Sequence, residues 1–316
     1  MPTMFVGDYI KRRRKELELT QEQLCEGICD ATTVSRLETG FQAPRRTILN
    51  ALLQRLGLPE TRYFAVVTKS ELDLETLEKE IVACHVQKHW QEGWAKLEKL
   101  REIAEPEDTL TWQFILRSEA LLGGRTGRYT YDQQRERLLC ALRLTVPRFT
   151  LESIDQFLYT VEEIKILNQI ANSYSRSGQL EQTQKIQRVL VEYVRIHYQE
   201  LLEQSELLSM LLQNYAHTLC RKKEYKASIA VCEEGRKASL QYGHCRYFPA
   251  FFAIMAECYF FLEDPASSAD CYIKAYYLYE TTEDWENLQL IRQEAKERLG
   301  LALPVDQTQS SVRSIR

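Results

Sequence analysis

Residues 19–44 read LTQEQLCEGICDATTVSRLETGFQAP, and the fold turns on this stretch. Thr20 stands where a helix N-cap is wanted, and Gln23, three residues on, supplies the reciprocal half of a capping box. The short helix that follows turns Leu24 and Ile28 inward until Cys29-Asp30 breaks it. A second helix is expected from about Ala31 to Glu38, stopped by Gly40. Val34 and Leu37 can face inward there, leaving Thr32, Thr33, Ser35 and Arg36 outside. Upstream, Val6 to Leu17 reads as a helix with Ile10 and Leu17 on one side. Downstream, Pro44 opens a helix in which Ile48, Leu52 and Leu56 repeat every four residues before Gly57.

Two short helices joined by a tight turn and braced by flanking helices make a helix-turn-helix, which presents its second helix to the DNA major groove. From Ala31 onward its short polar side chains can approach base edges, and Arg36 can bond guanine O6 and N7. Gln21, at the start of the preceding helix, can contact a phosphate, where free amide groups also favour an anion. Arg14 belongs to a basic run, Lys11 to Lys15, that offers a further phosphate contact. The expected DNA-binding set is therefore Gln21, Ala31, Thr32, Thr33, Ser35, Arg36 and Arg14. The pattern L-T-Q-x-Q-L, then V-S-R-L-E-x-G, then Pro resembles the Xre/Cro class of helix-turn-helix regulators. Arg13 departs from that class, which places an apolar residue there.

The rest of the composition agrees. The 316 residues carry a net charge of -4, but residues 1–65 hold ten Lys/Arg against eight Asp/Glu, or +2, and the remainder 31 against 37, or -6. Only 12 Gly and 8 Pro interrupt the chain, which favours helices and short loops. Nine Cys show no C-x-x-C pair and no metal-ligand spacing, so they read as reduced core residues of a cytoplasmic protein. Cys25 and Cys29, four apart, read as a buried apolar face rather than a redox pair. No metal or cofactor is implied. No apolar run approaches the roughly 20 residues of a membrane span.

From about Glu71 the pattern is helical almost without a break and repeats itself. ILNQIANSYSRSGQLEQTQKI starts at Ile166, LLQNYAHTLCRKKEYKASIAV at Leu211, and FFAIMAECYFFLEDPASSADCYIKA at Phe251. Each has a small residue (Ala171, Ala216, Ala256) and a bulky one three later (Tyr174, Leu219, Tyr259). A turn and a second helix follow, with a small residue early in it (Thr183, Ser228, Ala269). Weaker units are expected around Trp90 and Trp94 and from Phe114 to Leu142. This is similar to tetratricopeptide repeats, whose helix pairs stack through small residues. The expected fold is all-α: a helix-turn-helix domain over 1–65, a right-handed superhelix of tetratricopeptide-like helix pairs over 66–303, and a flexible tail over 304–316. The first helix of each pair should line the concave surface. Asn168 and Asn172 share one face, and Gln213, Asn214, His217 and Arg221 form a similar stripe. Paired amide side chains suit the main chain of an extended peptide.

A head of this class followed by such repeats resembles the Rgg/PlcR (RNPP) family of Gram-positive bacteria, most closely its PlcR branch. Those regulators bind short secreted and re-imported peptides in the repeat groove and act on promoters as homodimers. The resemblance implies that Asn168 (in LNQIANSY) and Asn214 (in QNYAHTL) hold a peptide, and that Lys88 (in HVQKHW) meets its acidic end. Where the branch has a polar contact, Ile254 is apolar. The implied function is a transcriptional regulator acting on an inverted-repeat operator under control of a signalling peptide (quorum sensing). The alternative is an adaptor or phage-type repressor whose repeats bind a protein or antirepressor. No phosphate loop, G-x-S-x-G or H-E-x-x-H motif points to an enzyme.

Overall fold

A computed structural model describes residues 6–41, 44–58, 69–198, 206–243 and 245–304. Among them are fifteen α-helices and no strand. They fall into two compact units, Met1–Gln204 and Ser205–Arg316. The expected junction at 65/66 and the tail beyond Pro304 lie outside the described residues.

The first unit opens with a four-helix head: α1 (Val6–Glu16), α2 (Gln21–Cys25), α3 (Ala31–Glu38) and α4 (Arg46–Arg55). Ile10, Leu24, Ile28, Val34, Leu37, Leu49, Leu52, Leu53 and Leu56 form its core. Thr20 caps α2 with the full reciprocal box. α2 is shorter than expected. It ends at Cys25, and the chain turns at Gly27 (φ 74°) rather than at Cys29-Asp30. Asp30 instead caps α3, its Oδ1 accepting from the Thr33 amide at 2.7 Å. α4 begins two residues after Pro44, and Leu49 and Leu53 are buried while Ile48 is only partly so.

Three hairpins complete this unit: α5 (Lys69–Val86) with α6 (Trp90–Ile103), α7 (Thr109–Arg125) with α8 (Tyr131–Thr145), and α9 (Val161–Arg176) with α10 (Leu180–His197). The second unit holds α11 (Leu207–Arg221) with α12 (Tyr225–Tyr242), α13 (Phe248–Phe261) with α14 (Pro265–Thr281), and a final α15 (Trp285–Leu299).

One turn geometry recurs. The first helix ends in a left-handed residue, Gly178, Lys223 or Glu263. The amide after it returns to the carbonyl of the bulky signature residue: Gln179 to Tyr174, Glu224 to Leu219, and Asp264 to Tyr259. This is the Schellman closure of a helix end. A second device fixes the partner helix. Thr183, Ser228 and Ser268 each donate a hydroxyl to the carbonyl of the small residue twelve positions earlier, Ala171, Ala216 and Ala256. In the third pair the packing residue is thus Ser268, fully buried, and not the neighbouring Ala269, which is half-exposed. No described helix is long and apolar enough to cross a membrane.

Candidate nucleic-acid interface

The two-helix element is held from behind by a buried ion pair. Arg14 of α1 meets Glu38, the last residue of α3, through two hydrogen bonds, Nε to Oε1 at 2.6 Å and Nη2 to Oε2 at 2.8 Å. Its Nη1 donates to the Leu19 carbonyl at 2.7 Å. Gln21 adds an amide hydrogen bond to Glu38 at 2.9 Å. Burial alone would raise the Glu38 carboxyl, but the bonds from Arg14 and Gln21 hold it below the usual range. α1 also approaches α3 closely at Gly7, where a Cβ would lie 1.9 Å from the Leu37 carbonyl oxygen.

These contacts revise the expected DNA set. Arg14 is 8% exposed and its guanidinium is filled by Glu38 and Leu19, so it braces the fold and is not free to meet a phosphate. The basic run does not form a continuous patch either. Arg13 reaches back to the Leu56 carbonyl at 3.3 Å and to Glu16, and Arg12 lies near Glu16. This accounts for the departure at Arg13, which closes the head by bonding the end of α4. Lys15 remains exposed.

On the outer face of α3, Thr32 and Arg36 are exposed, and Ala31, Thr33 and Ser35 are half-buried. Gln21 is half-buried at the start of α2. α3 is therefore capped at its start by Asp30, pinned at its end by Arg14 and Gln21, and outwardly equipped with a hydroxyl and a guanidinium one helical turn apart. Arg36 lines a cleft together with Glu105, Glu107 and Asp108 of the α6–α7 loop. Cys25 lies in the head core with Cys29 packed against it, and burial pushes the Cys29 thiol up to about 12, which opposes a reactive thiolate pair.

The expected peptide contacts lie in both units. In the first, Asn168 is buried in α9, Asn172 is half-buried one turn on, and Lys88 is exposed in the α5–α6 turn with φ 63°. In the second, Gln213 and Asn214 are half-buried on α11, while His217 and Arg221 are exposed. Ile254 is buried.

The main feature missed in the sequence was the Arg14–Glu38 brace. The signal was available. Arg14 is four residues after the core residue Ile10, and Glu38 four after Val34, so both charges stand on inward stripes and require partners.

Comparison with known proteins adds the following. Residues 6–63 match the model of a helix-turn-helix domain, and residues 78–298 match that of the RNPP family C-terminal domain. The sequence matches no curated protein. The fold is similar to that of Bacillus thuringiensis PlcR in complex with the peptide PapR7 and DNA. There the TM-score is 0.62 at 20% identity, covering 90% of this chain and 98% of that one. The apo form of PlcR gives 0.60 at 18% identity over the same shares. The apo competence regulator ComR of Streptococcus vestibularis gives 0.51 at 14%, covering 93% and 97%.

Proposed function

The chain belongs to the RNPP family, and from that membership we propose that it is a sequence-specific DNA-binding transcriptional regulator controlled by a short signalling peptide held by its repeats. The observation that carries this reading is the doubly fastened α3, with Thr32 and Arg36 outward, at the head of a chain whose remainder matches the family's C-terminal domain. The similar PlcR structure contains both a peptide and DNA, which supports assigning the same two ligand classes here. In this reading residues 1–65 bind DNA and 66–303 bind the peptide and dimerise, so that two heads meet an inverted repeat. Arg36 reads a guanine, Thr32 and Thr33 reach neighbouring bases, Ala31 and Ser35 approach the backbone or a thymine methyl, and Gln21 contacts phosphate. No catalytic step is assigned.

The repeats would take the peptide in extended form. Asn172, Gln213 and Asn214 can each offer a donor and an acceptor to its main chain. Asn168 is nearly closed off and serves by holding the groove wall. Lys88, His217 and Arg221 carry the charge or donors that meet the peptide's polar ends.

Arg36→Ala tests the head. Fluorescence anisotropy should show a loss of about 1–3 kcal/mol on the cognate operator and far less on random duplex. Equal loss on both would reduce Arg36 to a phosphate contact. For the repeats, Asn214→Ala should retain basal DNA binding and lose the response to peptide. A full response in that variant would remove Asn214 from the site.

A further inference from the structure

Within the first unit, a cavity of about 690 Å³ opens between the head and the repeat helices. Its apolar lining is Ala51 of α4, Leu74 and Val82 of α5, Ile103 of α6, and Leu110 and Phe114 of α7, set among polar and charged residues. Four cations reach its rim, and each has a carboxylate. Arg45 pairs with Glu105 at 3.0 Å and Arg46 with Glu75 at 3.2 Å. Lys79 pairs with Glu75 at 2.8 Å and Arg117 with Glu162 at 2.5 Å. Asp108 caps α7, accepting from the amide and hydroxyl of Thr111 at 3.2 and 3.0 Å.

Glu78 breaks this pattern. It lines the same cavity half-buried, and no described residue gives it a hydrogen bond or an ion pair. A carboxylate beside an apolar hollow, with the surrounding cations already committed, has the chemistry of an acceptor for a ligand's positive group. We propose that this cavity binds an organic cation, a primary ammonium or guanidinium seated on Glu78 and carried by an apolar stem along Leu110 and Phe114. The volume falls in the range of small-molecule sites, about 300–1,000 Å³. Anionic ligands are disfavoured because six carboxylates line the cavity (Asp73, Glu75, Glu78, Glu105, Asp108 and Glu162) against four cations. The site goes beyond the regulator reading and does not depend on it. Because α4 and the repeat helices both wall it, the ligand selects the docked head and stabilises that arrangement through its own affinity.

The site also has a pH signature. Desolvation, then the fields of Glu162, Asp108 and Glu75, push the Glu78 carboxyl up to about 7. The charged groups lining the cavity with it are Arg45 and Arg46 of the head, Asp73, Glu75 and Lys79 on α5, Glu105 and Asp108 in the α6–α7 loop, Arg117 on α7 and Glu162 on α9. An ammonium favours the ionised acid, so binding releases a proton and tightens as pH rises through that value.

The test titrates the full chain with n-hexylammonium by calorimetry, using 1-hexanol and hexanoate as probes with the same stem. Hexylammonium should bind about tenfold tighter than either, and about tenfold tighter at about pH 8 than at about pH 6. Glu78→Gln should erase the preference for the amine while leaving hexanol binding unchanged. Val82→Trp, on a half-exposed position, should block all three probes by filling the hollow. Hexanol binding as tightly as the amine overturns the proposal. So does an unchanged amine affinity in Glu78→Gln, or the absence of amine binding up to about 10 mM.

Discussion

Two glutamates carry opposite messages at the scale of single residues. Glu38 is depressed by Arg14 and Gln21, so its contribution to stability is present above its unfolded value of 4.5 and is lost as pH falls below it. Removing one partner of such a buried pair leaves the other uncompensated. Glu38→Leu is therefore expected to cost about 3–5 kcal/mol in denaturant melts. Converting both sides, Arg14→Met with Glu38→Leu, should restore most of that. A single variant as stable as the wild type would mean that Arg14 finds water instead. Glu78 works the other way. Its folded value, about 7, exceeds 4.5, so the native state holds a proton that the unfolded state has released, and stability declines as pH rises between these values. Glu78→Gln should melt higher than the wild type by roughly 1–3 kcal/mol at pH about 8 and should match it near pH 4. A constant difference across that range would contradict the assignment.

At the scale of helices, stacking rests on hydroxyl-to-carbonyl contacts from buried Ser or Thr, which an apolar side chain cannot make. Ser228 is fully buried and donates to Ala216 at 2.8 Å. Ser228→Ala should cost only about 0.5–1.5 kcal/mol, the value of one hydrogen bond. Ser228→Val adds volume in a closed contact and should cost about 1–3 kcal/mol. Thermal melts that rank these two in reverse would show that the bond outweighs the fit. This device also explains what could be read in advance. The head was legible because its signals are local: Thr20 with Gln23 at the start of α2 and Gly40 after Glu38. The repeats were legible as a period of small and bulky residues, since those residues make the turn closure and the close approach. The third pair slipped by one position because Ser268 and Ala269 are both small, and size alone does not say which faces the carbonyl of Ala256. The break after α2 was misplaced because Gly27 answers a distant neighbour. A Cβ there would lie 2.3 Å from the Thr145 carbonyl oxygen. Pairings over such separations leave no mark in a local pattern.

The same distant contacts decide how the first unit behaves as a body. Arg55, at the end of α4, is buried and donates to the carbonyls of Leu24 and Glu26 in the head and of Thr145 in α8, and to the Glu163 carboxylate at 3.2 Å. Glu163 in turn caps α9 by accepting from the Thr160 amide at 2.6 Å. Gln54 accepts from the Val161 amide at 2.9 Å, and Gly57 lies against the His197 carbonyl. Freeing the head alone would break the Arg55 hydrogen bonds to Thr145 and Glu163 and the Gln54–Val161 bond together, at about 0.5–1.5 kcal/mol for a neutral bond and about 1.5–3 kcal/mol for a charged one. Typical couplings between ligand sites are about 1–3 kcal/mol. A peptide signal of ordinary strength is therefore expected to move the head together with α5 to α10, and not to swing it on a hinge. Glu163→Gln tests this cleanly, because glutamine can still complete the capping box while losing the charge that holds Arg55. In the wild type, the slowest amides of α4 and α9 should exchange through one shared opening. In the variant, α4 should exchange faster while α9 is less affected, and a separate head transition should appear in denaturant. If α4 already exchanges independently of α9 in the wild type, the head is loosely tethered and its orientation is free to respond by itself.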